Sequence, residues 1–320
     1  MAAPLRLAFL ATSSFAVPTL QALVAGPEEV VAVFTRPDRP AGRGLRLRPS
    51  PVKEAALALH LPLFQPERVS LGEGLQRLRE VEPDVLLVAA YGEIVREEAL
   101  SLPRLGPVNL HASLLPKYRG AAPIQRALLA GETVTGVTAQ WMAKGLDTGE
   151  VILQRSLAIG CEESFGSLHD RLANLAAQIA RETLALIRMG NAPRLPQDHA
   201  AATSAPPVQR EELVIDWSRP AAEVNNVIRA FSPRPGARTS CQGKLLKVLA
   251  ARLGQAGGVS RGQPGEIVEI MKEGLRVQTG SDSLLILQVQ PEGRTPMSAG
   301  DFALGHRLQR GHILGPGARV

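Results

Sequence analysis

Val108-Asn-Leu-His-Ala-Ser-Leu-Leu-Pro-Lys-Tyr-Arg-Gly-Ala-Ala-Pro123 starts as a short apolar run and then breaks into Pro- and Gly-containing chain. A run of that length at residues 108–112 reads as a buried strand. Residues 5–10, 30–35, 85–90 and 134–141 have the same character. Residues 15–25, 52–60, 74–81 and 164–189 carry helical spacing instead. This alternation predicts an α/β domain, a mostly parallel sheet with helices on both faces. Ligands of such sheets sit beyond the carboxyl ends of the strands, at a switch in strand order. Asn109 and His111 fall at such an end. Two residues apart, they point to the same side.

The chain has 320 residues and 45% hydrophobic content, enough for about two domains with real cores. Charged residues make up 21%, which excludes wholesale disorder. No apolar run approaches the roughly 20 residues of a membrane span. Arg6 interrupts the only apolar stretch near the start, so no signal sequence is expected and the cytoplasm is the expected location. Cys161 and Cys241 stand in unrelated contexts, so neither a metal site nor a disulfide framework is expected. The net charge is +6. Residues 209–320 carry five more basic than acidic residues, which leaves a surplus of one for the rest. A modest basic surplus suits a polyanion partner and equally suits an ordinary soluble domain.

Residues 191–208 hold Pro193, Pro196, Pro206 and Pro207 among small polar residues, the composition of a linker. They divide the chain into 1–190 and 209–320. After them come a helical stretch at 221–230 and short alternating segments at 244–250, 265–270, 274–279 and 283–290. Closely spaced strands read as a small β-barrel, with an oligonucleotide-binding (OB-like) type as one candidate. Residues 36–51 hold five arginines with Pro and Gly, which predicts an exposed, mobile loop. It is either a solvated surface loop or a phosphate-contacting flap. Ala11-Thr-Ser-Ser14 is not a Gly-rich fingerprint, so a dinucleotide site is poorly supported. Ser13 or Ser14 can cap the helix that follows.

Asn109, His111 and Asp147, the last within Gly145-Leu-Asp-Thr-Gly149, supply an amide donor, an imidazole and a carboxylate. When an amine attacks a carbonyl, negative charge gathers on oxygen and a proton must leave nitrogen. The three groups suit those needs without a serine or cysteine nucleophile. An ordinary glycine-flanked turn and a hydrogen-bonded core histidine would present the same residues. Trp141 and Trp217 read as packing residues. His60, His169, His199, His306 and His312 show no clustered spacing.

The surrounding words add to this. Asn109-Leu-His-Ala-Ser-Leu-Leu-Pro116, Tyr118-Arg-Gly-Ala-Ala-Pro-Ile-Gln125 and Gly145-Leu-Asp-Thr-Gly149 resemble the formyltransferase family that uses 10-formyltetrahydrofolate. Phe34-Thr-Arg-Pro-Asp-Arg-Pro-Ala-Gly-Arg-Gly44, Ser50-Pro-Val-Lys53, Ile215-Asp-Trp-Ser218, Arg229-Ala-Phe-Ser-Pro233 and Pro264-Gly-Glu266 narrow it to the branch acting on methionyl initiator tRNA. The resemblance covers nearly the whole chain. It implies a Rossmann-like catalytic domain and a barrel that helps hold tRNA, in an enzyme that acts as a monomer. It implies that Asn109, His111 and Asp147 are catalytic. Folate would meet Ser113, Leu114, Leu115 and Pro116, then Val88, Ala90, Tyr91 and Gly92, with Gly145 and Leu146 before the aspartate. The loop meeting the tRNA acceptor end falls on residues 36–53 and offers Arg36, Arg39, Arg43, Arg46, Arg48 and Lys53, with Arg43 foremost. One stretch departs from the pattern. Where the family usually shows Gly-Thr-Pro-Asp/Glu-Phe, this chain has Ala11-Thr-Ser-Ser-Phe15, which removes a glycine and a helix-start acid.

Three other readings fit part of this. A formyltransferase acting on a small amine would share the catalytic trio. A formyltetrahydrofolate hydrolase would use water as acceptor. A nucleic-acid-binding protein with a degenerate enzyme domain would not need the trio, and 3% aromatic content supplies few base-stacking side chains.

Overall fold

The structure, a computed structural model, describes residues 3–41, 46–254 and 262–316. It divides into two compact units. The first gathers Met1–Pro123, Val134–Ala158 and His169–Pro206, and the second gathers Ile124–Thr133, Ile159–Leu168 and Pro207–Val320.

The first unit is built on a sheet of β1 (Arg6–Ala11), β2 (Glu29–Phe34), β3 (Leu63–Phe64), β4 (Val85–Ala89), β5 (Gly106–His111), β6 (Val134–Trp141) and β7 (Val151–Ala158). Their spatial order is β7-β6-β5-β4-β1-β2-β3. Strands β3 to β5 along this path are parallel, while β6 and β7 run antiparallel at one edge. The expected mostly parallel sheet is thus present, with a mixed edge that the apolar runs did not reveal. Ala8 and Leu10 share a core cluster with Phe34, Leu86 and Leu78, the last from the helix Gly72–Glu80. Leu7 and Phe9 alternate with them and are equally buried, so both faces are covered. The long helix Phe165–Arg188 buries Leu172, Ala176, Ile179, Ala180, Thr183, Leu184 and Ile187, a stripe at steps of three and four.

Strand order reverses between β1 and β4, because β2 lies on one side of β1 and β4 on the other. The turns that leave these two strands meet there. Thr12 Oγ1 donates to the Tyr91 carbonyl at 2.7 Å, and Thr12 and Ser13 N–H both reach the Ala90 carbonyl. In the departing stretch, Ser13 Oγ accepts from Phe15 N at 3.1 Å. A hydroxyl therefore does the capping at this turn.

The expectation of a mobile loop at 36–51 is corrected in part. Arg39–Ala41 and Arg46–Arg48 pair as an antiparallel hairpin, and the loop ends at Ser50, which caps the helix Pro51–Ala58. The pairing was missed because Arg39-Pro-Ala41 and Arg46-Leu-Arg48 are each too short to show an apolar period.

In the second unit, Trp217 and the helix Ala221–Phe231 pack into one core with the strands that follow. Those strands are β8 (Ala237–Cys241), β9 (Lys244–Leu253), β10 (Ile267–Ile270), β11 (Leu275–Gln278), β12 (Ser283–Pro291) and β13 (Leu314–Pro316), in the order β10-β11-β12-β9-β8-β13. An antiparallel bridge, Glu266 to Ile313, joins the two ends. Ile267 N donates to the His312 carbonyl and Leu314 N to the Gly265 carbonyl, each at 2.8 Å. The sheet curls into the small barrel expected from strand spacing. Arg229 is 9% exposed and donates to Asn226 Oδ1 and to the carbonyls of Leu128 and Gly160, which brings both inserted segments into this unit.

Candidate active site

Asn109 and His111 end β5 on one side of the strand, as their spacing requires. Antiparallel β6 places Gln140 directly opposite Asn109, and Thr138 opposite His111. The turn after β6 carries Asp147 at φ 51°. Gly149 closes that turn. A Cβ there would stand 1.7 Å from the Trp141 carbonyl oxygen, so no other residue fits.

Asp147 is the centre of the arrangement. Its Oδ1 accepts from Asn109 Nδ2 at 3.2 Å and from Gln140 Nε2 at 2.8 Å. Its Oδ2 accepts from Gly120 N at 3.0 Å and lies 3.5 Å from His111 Nδ1. The His111 and Asp147 side chains are only 6% and 9% exposed. Charge-assisted bonds to a carboxylate in such a setting are among the strong ones.

His111 Nε2 lies 2.8 Å from the Tyr118 carbonyl. A carbonyl only accepts, so Nε2 carries a proton and donates. The Nδ1 contact of 3.5 Å is longer than a well-formed hydrogen bond. An incoming oxygen can therefore compete for Nδ1 without displacing the bond that orients the ring. Tyr118 at φ 59° and Gly120 at φ 125° bend the chain so that the Tyr118 carbonyl and the Gly120 amide both face the site.

The residues expected at the folate contacts fall into two groups. Ser113, Leu115, Val88 and Tyr91 are buried, and the Ser113 hydroxyl donates to the Lys117 carbonyl at 2.6 Å. Ala90, Gly92, Gly145 and Leu146 are exposed, while Leu114 and Pro116 are half-buried. Thr138 Oγ1 donates to the Ser113 carbonyl and accepts from Leu115 N, which fixes the turn after His111. Burial pushes the Tyr91 phenol up, with Glu93 adding to the effect, and burial also raises Glu93.

The cations expected at tRNA differ among themselves. Arg39 and Arg48 are exposed and face each other in register on the hairpin. Arg36 is half-buried and donates to the Gly92 carbonyl at 3.1 Å. Lys53 is paired with Asp38 at 2.7 Å, and that bond, with a second from Gln65, holds the Asp38 carboxyl below its usual range. Arg46 contributes backbone pairing to Ala41. Arg43 lies outside the described residues.

Sequence reasoning missed Gln140, Gln197 and Arg119. Gln140 was visible as a polar residue inside a buried strand. Gln197 is 8% exposed and belongs to the stretch expected to be a linker, yet it donates to the Asp147 and Gly149 carbonyls at 2.9 and 2.7 Å. That stretch lies along the first unit. Leu195 bridges to Val151, Ser204–Ala205 pairs with Arg119–Gly120, and the Trp141 indole donates to the Pro193 carbonyl. Among the described residues no group of three or more His, Cys, Asp or Glu is placed to hold a metal ion. Among them no helix is long and apolar enough to cross a membrane.

Residues 5–184 match the formyl transferase family model, and residues 207–307 match the formyl transferase C-terminal domain. A methionyl-tRNA formyltransferase from Moorella thermoacetica is 50% identical over 97% of this chain and 99% of its own. The methionyl-tRNA formyltransferase of Geobacter sulfurreducens is 43% identical over 99% of each. A solved N-formyltransferase from Helicobacter canadensis, in complex with folinic acid and dTDP-3-aminofucose, aligns with a TM-score of 0.66 over 89% of this chain and 100% of that one. At 17% identity it speaks to the fold alone.

Proposed function

The chain belongs to the formyl transferase family, and from that premise we propose that it moves the formyl group of 10-formyltetrahydrofolate to the α-amino group of methionine on initiator tRNA, an early step of translation. The observation that carries the chemistry is the convergence of Asn109, His111 and Gln140 on Asp147 at the carboxyl end of the sheet. Full-length likeness to methionyl-tRNA formyltransferases carries the choice of acceptor.

The donor set fits a formamide. One hydrogen of the Asn109 amide is spent on Asp147, which leaves the second for an oxygen. In the proposed reaction the deprotonated amine attacks the formyl carbon and forms a tetrahedral intermediate. Asn109 and protonated His111, through Nδ1, hold the oxygen on which charge collects. The bond from the formyl carbon to the folate nitrogen then breaks. The proton lost by the amine passes through water to Asp147 and on to the departing nitrogen. Folate is a consumed co-substrate here, and no protein side chain becomes acylated.

We place the folate contacts on Ser113, Leu114, Leu115, Pro116, Val88, Ala90, Tyr91, Gly92, Gly145 and Leu146. Where side chains are buried, the backbone would meet the ligand. The tRNA acceptor end is assigned to residues 36–53, with Arg43 foremost and the exposed Arg39 and Arg48 beside it in the sequence, and residues 209–320 assisting. The enzyme is proposed to act as a monomer without a metal, in the cytoplasm, where its acceptor is made and used. Incubation with 10-formyltetrahydrofolate and either charged initiator tRNA or small amines tests the reading. Formylmethionine on tRNA, found by mass spectrometry, is the expected result. Formylation of small amines only would overturn it.

A further inference from the structure

We infer that Gln197, with its sense set by Arg119, is a positioning residue for Asp147, so that the segment leading into the second unit holds the reacting carboxylate in place. The inference rests on the function proposed above. It concerns side chains to which no role has been given.

The bonds have only one consistent direction. Arg119 is a donor only, and its Nε and Nη2 lie 3.2 and 2.7 Å from Gln197 Oε1. The amide oxygen of Gln197 must therefore face Arg119. Its amide nitrogen then faces the carbonyls of Asp147 and Gly149, at 2.9 and 2.7 Å, which only accept. A flipped amide would set oxygen against two carbonyl oxygens. The same nitrogen approaches Gln140 Oε1 at 3.3 Å, which turns the Gln140 amide nitrogen toward Asp147 Oδ1 at 2.8 Å. The row runs from a cation, through two amides, to a carboxylate, each link polarising the next in the same sense. Arg119 is steadied in turn by His199, whose Nδ1 lies 3.0 Å from Nη2.

Three features raise this above ordinary packing. Gln197 is 8% exposed, so its bonds are not traded with water. It grips the backbone of the residue whose side chain reacts, in a turn where Asp147 has φ 51° and gains from an outside hold. Arg119 also adjoins Gly120, whose N–H is another donor to Asp147. Gln197 thus holds the backbone of the turn, and Gly120, next to Arg119 in sequence, holds the carboxylate.

The test uses the full chain with charged initiator tRNA under single-turnover conditions. Gln197→Met keeps the length and removes both bonding functions. Displacing the carboxylate by up to about 1 Å should lower the rate by up to about 100-fold. KM for the folate and the folate dissociation constant should stay within twofold. In an Asp147→Asn background, Gln197→Met should remove nothing further, because the group it positions no longer acts. Arg119→Lys should retain most of the rate and Arg119→Met should not, which keeps the test open if Gln197→Met folds poorly. A wild-type enzyme that does not formylate the tRNA would sink the functional reading, and this inference with it. With an active wild type, the inference alone is overturned in two cases. Either Gln197→Met and Arg119→Met both keep near-full rate, or their losses persist undiminished in the Asp147→Asn background.

Discussion

His111 is held by one good bond, from Nε2 to the Tyr118 carbonyl, and by a looser 3.5 Å contact between Nδ1 and Asp147. That inequality gives the ring a fixed orientation and one nitrogen to offer. Removing one oxyanion donor typically costs about 10² to 10³ in turnover. His111→Ala and Asp147→Asn are each expected to fall on that scale while fluorescence titration of folate stays near wild type. Full activity in both would refute their assignment. Gly120 makes a separate prediction. With φ 125° and a Cβ position 2.6 Å from the Ala205 carbonyl oxygen, Gly120→Ala forces the backbone off Asp147. A loss of about 1–3 kcal/mol in a denaturant melt, together with lower turnover, is expected. An unchanged melt would show that the chain relaxes freely there. The Asn109–His111 pair was legible because a two-residue spacing on a strand fixes a shared side whatever the tertiary structure. Gln140 and Gln197 were not. Their partners depend on the register of an antiparallel strand and on a segment that returns from far along the sequence.

At the scale of elements, the pairing of Arg39–Ala41 with Arg46–Arg48 sets Arg39 opposite Arg48. Like charges facing each other across two strands are unfavourable unless an anion joins them. Arg39→Glu with Arg48→Glu is expected to weaken tRNA binding and to flatten its salt dependence by about one unit of slope per lost phosphate contact. Folate binding should not change. An unaltered salt slope would remove the hairpin from the tRNA interface. The root of this hairpin has its own pH signature. Lys53 keeps the Asp38 carboxyl depressed in the folded chain, so the stabilisation is present above the ordinary carboxylate value and is lost as pH falls through the lower folded value. Asp38→Asn should therefore remove a small part of the acid-induced loss in Tm, and a pH–Tm curve superimposable on wild type would contradict the clamp. Parallel strands such as β1 and β4 were readable because they are apolar on both faces. Strand β7 was not, since it lies at the edge and its Gln154-Arg-Ser156 stretch is exposed or nearly so, with no inward run to betray it.

For the whole molecule, the proline-rich composition of residues 191–208 suggested a linker after residue 190, whereas the chain stays in the first unit as far as Pro206 and enters the second at Pro207. The assembly of each unit was not legible there. Ile124–Thr133 and Ile159–Leu168 join the second unit, although they lie within the sequence of the first. Arg229 bonds to carbonyls in both segments, a link that no local pattern encodes. Barrel closure through Glu266 and Ile313 was equally hidden, because single bridges leave no periodic trace. The proposed mechanism has the carboxylate of Asp147, ringed by donors, let one carbon pass straight between two bound molecules. The most direct measurement supplies donor carrying a ¹³C-formyl group, charged initiator tRNA and an excess of unlabelled formate, and follows both product and intact protein by mass spectrometry. Direct transfer gives fully labelled formylmethionine and no formyl adduct on the protein, with its rate of formation lowered by about 10² to 10³ in Asp147→Asn. Dilution of the label by formate, or a formylated side chain, would contradict the mechanism.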